Sequence, residues 1–536
     1  MNFSQLSLKR SLSPTLADFR ASSGSLKHHQ FRMSKIASIT VPQSNKTLTV
    51  NTGLFINNEF VPSVDSQETI DVINPSTEEL LCSVTAASAA DIDIAVKAAR
   101  TAFNTTWGKH VTGTERSRLL NKLADLIERD AQDLAALECL DNGKPMRIAR
   151  DFDIADSVAV LRYYAGWADK IVGQTLELDN QTKVAFTRHE PIGVCGQIIP
   201  WNYPINMWSW KVAPALAVGC TIVMKPSELT PLSALKLSEL VKEAGFPPGV
   251  LNTVPALGAV GGAAISAHPD IDKVAFTGST VTGRKIMEAA AKSNLKKVSL
   301  ELGGKSPNIV FASADIEQAA NWAALGIFYN TGQDCTAGSR VYVQDTIYDK
   351  FVETLVRKAK ECIVGDGFDE KVSAGPLVSK TQYEKVLGYI ESGKSEGAKV
   401  IVGGERKGGK GFFLDPTIFT DIKPGMKIVK EEIFGPVLSV GKFSTEEEVI
   451  ALANDTNYGL GAGLHSNDAN QCMRVAGALE AGTVWVNEYN LVANNVPFGG
   501  KKASGVGREL GSYGLEEYTS VKAIHWNFGE KLAWPL

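Results

Sequence analysis

From residue 191 onward the chain alternates β-prone and helix-periodic runs so regularly that one architecture accounts for it. Residues 193–200 are β-rich and 204–219 helical; 221–225 read as strand, 231–244 as helix and 250–255 as strand. A Gly/Ala-rich helix starts at 261, followed by strand 273–276, helix 281–291 and strand 297–302. Strands separated by helices of this length form βαβ units, because a parallel neighbour needs a long crossover back to the same end of the sheet. The pattern predicts an α/β protein with a parallel sheet covered on both faces. A second αβ series runs from 308 to about 507, with β-prone runs NIVF, SRVYVQ, VIVGG, PVLSVGKF and TVWVN. Two such series in 536 residues fit two or three domains.

Upstream, folding is expected to begin near Leu54, with alternating segments LFINNEFV, TIDVINP and LLCSVTAA. Residues 91–103, 114–129 and 151–169 then carry apolar side chains at three- and four-residue intervals, as amphipathic helices do, with Asp91, Thr114 and Asp151 as candidate N-caps. The β-prone run TSVKAIHWNF near the C-terminus is a candidate for pairing with another subunit.

Composition narrows the function classes. A net charge of −4 offers no basic field for nucleic acid or anionic lipid. The longest apolar run, residues 212–224, is broken by Pro214 and is too short to span a bilayer, so no membrane segment is expected. Seven scattered cysteines without a CxxC pair form neither a disulfide framework nor a zinc site, and no metal is expected. The first 35 residues hold eight Ser and six Lys or Arg against one acid, Asp18. A mitochondrial transit peptide and a disordered tail fit that composition equally, and Met33 offers an alternative start. The expected location is the cytoplasm or the mitochondrial matrix.

Five stretches carry possible chemistry. Cys335 lies in GQDCTAGSR, among small residues on a tight, exposed turn; alone it reads as well as a small buried hydrophobe. Glu301 ends a strand ahead of Gly-Gly in ELGGKSP, at the crevice where α/β sheets bind ligands. Asn202, in PWNYP, lies between a strand and a helix, where its amide caps the helix or donates to an oxyanion. Lys225 and Glu228 follow another strand and suit a ribose, while Gly278 and Ser279 open a helix whose N-terminus can hold a phosphate. The GxGxxG fingerprint is absent, Thr280 standing where its second glycine would be. Glu432 and Phe434 sit in EEIFGPV, a loop of the second series.

Taken in this order, ELGGKSP, GQDCTAGSR, PWNYP, FTGST, EEIFGPV and PFGGKKASGVGRELG resemble the aldehyde dehydrogenase superfamily, in particular its non-phosphorylating class 1/2 tetramers. The resemblance covers about residues 54–528. It implies two doubly wound parallel-sheet domains, one Rossmann-like for the cofactor and one catalytic, plus a small β oligomerisation arm. The implied boundaries are a leader or tail over 1–46, an NAD-binding domain over 47–172 and 193–302, a catalytic domain over 303–506, and oligomerisation segments at 173–192 and 512–530.

The implied activity is NAD(P)-dependent oxidation of an aldehyde to its carboxylic acid through a cysteine thioester. Cys335 matches the nucleophile, Asn202 with the Cys335 amide the oxyanion hole, and Glu301 the base that activates water for thioester hydrolysis. Lys225 and Glu228 match the adenosine-ribose contacts, Ser279 and Gly278 the phosphate site, and Glu432 and Phe434 the nicotinamide-ribose clamp. Trp201, Gly258 and Gln333 match cofactor or near-cofactor positions, Lys211 a supporting lysine and Glu509 a second carboxylate. An acid at Glu228 repels a 2′-phosphate, so NAD is favoured; Lys225 softens the preference and NADP stays open.

In the implied substrate tunnel, Tyr203 and Trp208 share a helix and join Trp210 and Phe498. Asn206 replaces an apolar residue, Val492 a frequent aromatic, and Asp334 and Thr336 flank the nucleophile where cysteines are common. Since an acid beside a thiolate disfavours its charge, Asp334 is expected to turn toward water or a donor. The implied partners are a small aldehyde and identical subunits, four in all. Glu301, which prepares water, argues against transfer to phosphate or CoA; the same fold serving as a binding or structural protein without turnover is the alternative class.

Overall fold

A computed structural model describes residues 35–534 except 43, 45 and 180. The leader composition noted above falls, except for Lys35, on residues outside those described. The expected leader does not extend to 46, and folding begins before Leu54. Strand Ile36–Thr40 pairs antiparallel with Thr47–Asn51, burying Ile39, Leu48 and Val50. No helix among the described residues is long and apolar enough to cross a membrane.

The first αβ series forms an eight-stranded sheet in the order Gly505–Val506, Lys297–Glu301, Lys273–Thr277, Val194–Ile198, Thr221–Lys225, Leu251–Thr253, Leu54–Ile56 and Glu59–Val61. Its five central strands are mutually parallel and wholly or mostly buried. Gly505–Val506 returns from the second series to pair with Leu300 and Glu301, so the expected division at 506 is crossed by the chain. The second series builds a seven-stranded sheet, parallel except for Lys399–Val402 at one edge. Two of its strands escape a pattern reading: Gly461–His465 holds no β-branched residue, and Thr417–Thr420, β-prone throughout, is only four residues long.

Helix N-termini follow hydrogen bonding more closely than periodicity. Ser88, not Asp91, caps Ala89–Thr105; Asp91 returns the bond as the third residue of a capping box. Thr112, not Thr114, caps Gly113–Arg129. Around Asp151 there is no cap at all, because the chain runs through a π-helical turn, Ala149–Ile154, into Ala155–Trp167. Such turns insert one extra residue and redirect the side chains that follow.

The C-terminal strand Thr519–Asn527 pairs over its whole length with Lys183–Pro191 of its own chain, which in turn pairs with Thr175–Asp179. Its other edge has no partner among the described residues, and Val521 and Trp526 on it are exposed.

Candidate active site

The crevice opens where the strand order reverses. Val194–Ile198 has its successor Thr221–Lys225 on one side and the later Lys273–Thr277 on the other. The chain therefore leaves these strands toward opposite faces and opens a gap at their carboxyl ends. A cavity of about 430 Å³ occupies it and continues toward the second sheet. Cys335, Glu301 and Asn202, far apart in sequence, all line it.

Asn202 sits on the loop into the helix Pro204–Val218, whose first turn Pro204 presets and whose every residue is buried. Its Nδ2 donates to the Gln333 carbonyl at 3.0 Å. Asn330 Nδ2 donates to the carbonyls of Asn202 and Gln333 at 3.0 and 3.1 Å, which clips this loop to the segment ahead of Cys335. An amide carries two donor hydrogens, so Asn202 keeps one for a ligand oxygen.

The helix Ile316–Phe328 stops at a strained corner, with Asn330, Thr331 and Gly332 at φ of 51°, 57° and 67°. A β-branched residue there is costly and persists only when its surroundings hold it. Thr331 Oγ1 donates to the Gly375 carbonyl at 3.0 Å, and Gln333 Oε1 accepts from the Val378 amide at 2.9 Å. Gln333, expected near the cofactor, is thus a buried brace of this corner. The next turn carries Cys335 half-buried in the cavity wall, not on the exposed turn that its small neighbours suggest. Burial pushes its thiol well above the usual range, with Asp334, Glu432 and Glu301 adding repulsion and its own amide acting the other way.

Glu301 is 4% exposed, and its Oε2 has no partner among the described residues. Burial, reinforced by Glu509 and opposed by Lys211, holds its carboxyl well above the ordinary range. Lys211 reaches from the buried helix to donate to Glu509 Oε1 and Thr277 Oγ1, both at 2.6 Å. Glu509 lines the cavity and also has an oxygen, Oε2, without a partner among the described residues.

The glycines after Glu301 are there for space. A Cβ on Gly304 would lie 2.2 Å from the Cys335 carbonyl oxygen, and one on Gly303 would lie 2.4 Å from Glu432 Oε2. Glu432 accepts from the Gly304 amide at 2.9 Å, and burial raises its carboxyl. Phe434, at a positive φ of 61°, is held edge-on to Trp201 with ring centroids 5.2 Å apart. Both rings line the cavity with Gly278 and Ser279. Ser279 caps the helix Thr280–Lys292 through the Thr282 amide at 3.3 Å, leaving that N-terminus facing the crevice.

Lys225, Glu228 and Gly258 lie outside this cavity and form a second group. Lys225 Nζ is 3.2 Å from Glu228 Oε2, and Glu228 Oε1 faces Gly258, where a Cβ would sit 3.9 Å away. Burial pushes the Lys225 ammonium down, while Lys225 holds the Glu228 carboxyl down against its own burial.

On the other side of Cys335, Tyr203, Asn206, Trp210, Asp334, Thr336, Val492 and Phe498 all line the cavity. Trp210 meets Phe498 edge-on at 5.3 Å. Trp208 departs from the expectation; it is fully buried in the core, because alternate positions of one helix face opposite ways. Asp334 turns to donors, as its place beside a thiol requires. Oδ2 accepts from Tyr203 Oη at 3.0 Å and Asn490 Nδ2 at 2.7 Å, and Oδ1 from the Thr336 amide at 3.0 Å, with Thr336 Oγ1 2.9 Å away. Phe152, Asp156, Tyr329 and Asn490 also line the cavity and escape the sequence reading. Only Asp156 leaves a trace there, as an acid three residues after Asp153 within a helical run.

The family model described as the aldehyde dehydrogenase family matches residues 60–524. An aldehyde dehydrogenase of Emericella nidulans is 56% identical over 480 residues, covering 90% of this chain and 96% of that protein. A mitochondrial aldehyde dehydrogenase of Mesocricetus auratus is 52% identical over 494 residues, covering 92% and 98%. Among solved structures, the NAD+ complex of an aldehyde dehydrogenase from Bacillus cereus superposes with a TM-score of 0.88 at 54% identity, covering 89% of this chain and 97% of that one. Betaine aldehyde dehydrogenase from Staphylococcus aureus in complex with NAD+ gives 0.88 at 41% identity, covering 91% and 97%.

Proposed function

The chain belongs to the aldehyde dehydrogenase family, and from that membership we propose how its residues divide the work of an NAD-dependent aldehyde dehydrogenase. The enzyme oxidises an aldehyde to its carboxylate. Cys335 Sγ, as thiolate, adds to the aldehyde carbon and gives a thiohemiacetal whose alkoxide needs donors. The free hydrogen of Asn202 Nδ2 and the Cys335 amide supply them. NAD, when bound, supplies the acceptor for the hydride that leaves this carbon. The resulting thioester is hydrolysed by water that gives up its proton to Glu301, releasing the acid and restoring the thiol.

The residues present fit the dinucleotide. The helix N-terminus at Ser279 offers amides for phosphate, the Lys225–Glu228 pair beside Gly258 offers donor and acceptor for a ribose, and Glu432 and Phe434 border the cavity that holds Cys335. An acid at Glu228 favours NAD over NADP.

One observation carries this division of labour: a buried carboxylate, Glu301, with an oxygen unpartnered among the described residues, in the same cavity as a half-buried thiol. The test is NADH formation from acetaldehyde in buffer free of CoA and phosphate, with Cys335→Ala as control. Wild type forms NADH and the variant forms none while still binding NAD. Normal turnover by the variant would reassign the nucleophile, and no NADH from any aldehyde in a broad panel would sink the reading.

The same reading makes the enzyme a homotetramer assembled through the free edge of Thr519–Asn527, with Val521 and Trp526 on the contact. Light scattering of the eluting protein is expected to give four times the chain mass; a monomer mass overturns it.

A further inference from the structure

The turn that carries Cys335 is gripped by a side chain outside the cavity. Thr336, the next residue, is 2% exposed, and its carbonyl accepts from the Tyr489 hydroxyl at 2.9 Å. Tyr489 is fully buried and does not line the cavity. Its ring lies in a slot that three glycines clear. A Cβ on Gly463, in the strand Gly461–His465, would lie 2.4 Å from the ring; one on Gly326, in the helix Ile316–Phe328, would lie 2.6 Å from it, and one on Gly338 3.0 Å. None of the three has the positive φ that favours glycine, so what each supplies is room for the phenol. Trp485 packs on the same ring with centroids 5.2 Å apart and donates from Nε1 to the Leu491 carbonyl at 2.7 Å, which ties down the chain on both sides of Tyr489. Burial pushes the phenol well above its ordinary range, so the hydroxyl keeps its hydrogen and remains a donor.

Two bonds shape the turn from within: the Ala337 amide donates to the Asp334 carbonyl at 3.1 Å, and the Thr336 amide to Asp334 Oδ1 at 3.0 Å. Internal bonds set the form of a turn and not its place. Its main chain is placed at one end by Asn202 and Asn330 on the Gln333 carbonyl, and at the other by the Gly338 amide on the Gly326 carbonyl at 2.9 Å. Between these ends, Tyr489 makes the one bond to the main chain from outside the turn among the described residues. We propose that Tyr489 is a positioning residue for the reaction: its hydroxyl fixes the turn so that the Cys335 amide faces the alkoxide formed when the thiol attacks. This rests on the assignment of Cys335 as the group that attacks the carbonyl. The alkoxide exists only after attack, so loss of the hold slows the chemical step more than it weakens substrate binding.

Tyr489→Phe keeps the ring in its slot and removes the hydroxyl alone. Its NADH burst is expected to be about tenfold slower than in wild type, the cost of leaving one buried acceptor without its donor, and to keep its full amplitude. Steady-state kcat and kcat/KM fall together, and NAD affinity is unchanged. Alkylation of Cys335 by iodoacetamide, which needs no oxyanion donor, keeps its wild-type rate. Gly463→Ala, whose new methyl meets the ring and Asn308 Oδ1 first, also slows the burst, and slows it no further when combined with Tyr489→Phe. A burst at the wild-type rate in Tyr489→Phe overturns the proposal, and so does a smaller amplitude at an unchanged rate, which marks a packing role alone. An alkylation rate that falls with the burst overturns it too, because the hydroxyl then acts on the thiol itself. If Cys335→Ala turns over, the assignment of the nucleophile fails first; if it does not and Tyr489→Phe bursts like wild type, the inference about Tyr489 alone fails.

Discussion

Two carboxylates flank the thiol of Cys335, and their surroundings treat them in opposite ways. Asp334 has donors on both oxygens, from Tyr203, Asn490 and Thr336. Glu301 has a buried oxygen with no partner among the described residues, and Glu509 nearby repels its charge. A carboxylate whose oxygens are all engaged holds neighbouring loops in place and has no lone pair to spare for a proton from water. One left short of donors gains from taking that proton. Closeness to the nucleophile therefore does not choose the base; the count of donors does.

The comparison is broken most directly at Glu301. Glu301→Gln is expected to lower steady-state kcat by about 10²–10⁴-fold, the range for losing a positioned base. A single burst of up to one NADH per active site should survive, because attack by Cys335 precedes hydrolysis. If Glu301→Gln turns over normally, or if Asp334→Asn is the variant that collapses to a burst, the roles are reversed.

Next in size is the cost of emptying the satisfied side. Asp334→Ala strands the Tyr203 hydroxyl, the Asn490 amide and the Thr336 N–H in a largely buried space. It should lower unfolding stability by about 1–3 kcal/mol, seen as a drop in thermal midpoint. An unchanged midpoint would mean that water replaces the carboxylate without loss, and that Asp334 does not brace the loop.

The two sides also differ in how far they could be read in advance. Glu301, Asn202 and Ser279 were legible because each ends a strand of the first series, and strand ends at a topological switch point converge by rule. Asp334 was legible as an anomaly, but its donors were not. Asn490 and Tyr203 reach it across 156 and 131 residues of chain, and no local pattern carries such a pairing. Asp156 was hidden by the π-helical turn Ala149–Ile154, which shifts the face that a regular period assigns. Trp208 and Trp210 look alike as tunnel residues, yet the helix sends one to the core and the other to the cavity. The first strand, Ile36–Thr40, is short and follows a basic, Ser-rich stretch; only its pairing with Thr47–Asn51 makes it a strand.

Smaller effects appear in the pH profile. Both Glu301 and Cys335 must lose a proton to act, and both are held above their ordinary ranges, so kcat/KM and kcat should rise as pH increases. Glu509→Gln removes a negative neighbour that raises Glu301, so the limb belonging to hydrolysis should move to lower pH. A shift to higher pH would mean that Glu509 supports the base as a hydrogen-bond partner and not as a repelling charge.

The mildest change probes the other limb. Asp334 is the first charged neighbour, after burial itself, among the causes that raise the Cys335 thiol. Asp334→Asn removes that charge and keeps an oxygen that can still accept from Tyr203 or Thr336. The thiolate then forms at lower pH, and the alkaline rise of the NADH burst, which reports attack alone, should move down. The steady-state limb governed by Glu301 should move much less, because burial and the charges of Glu509 and Lys211 act on that carboxyl most strongly. A stopped-flow burst measured against pH separates the two. If both limbs move together, the carboxylates are coupled through the thiol and the division between a bracing acid and a basic one is too sharp; if only the burst moves, Asp334 keeps Cys335 protonated at rest while Glu301 alone prepares the water.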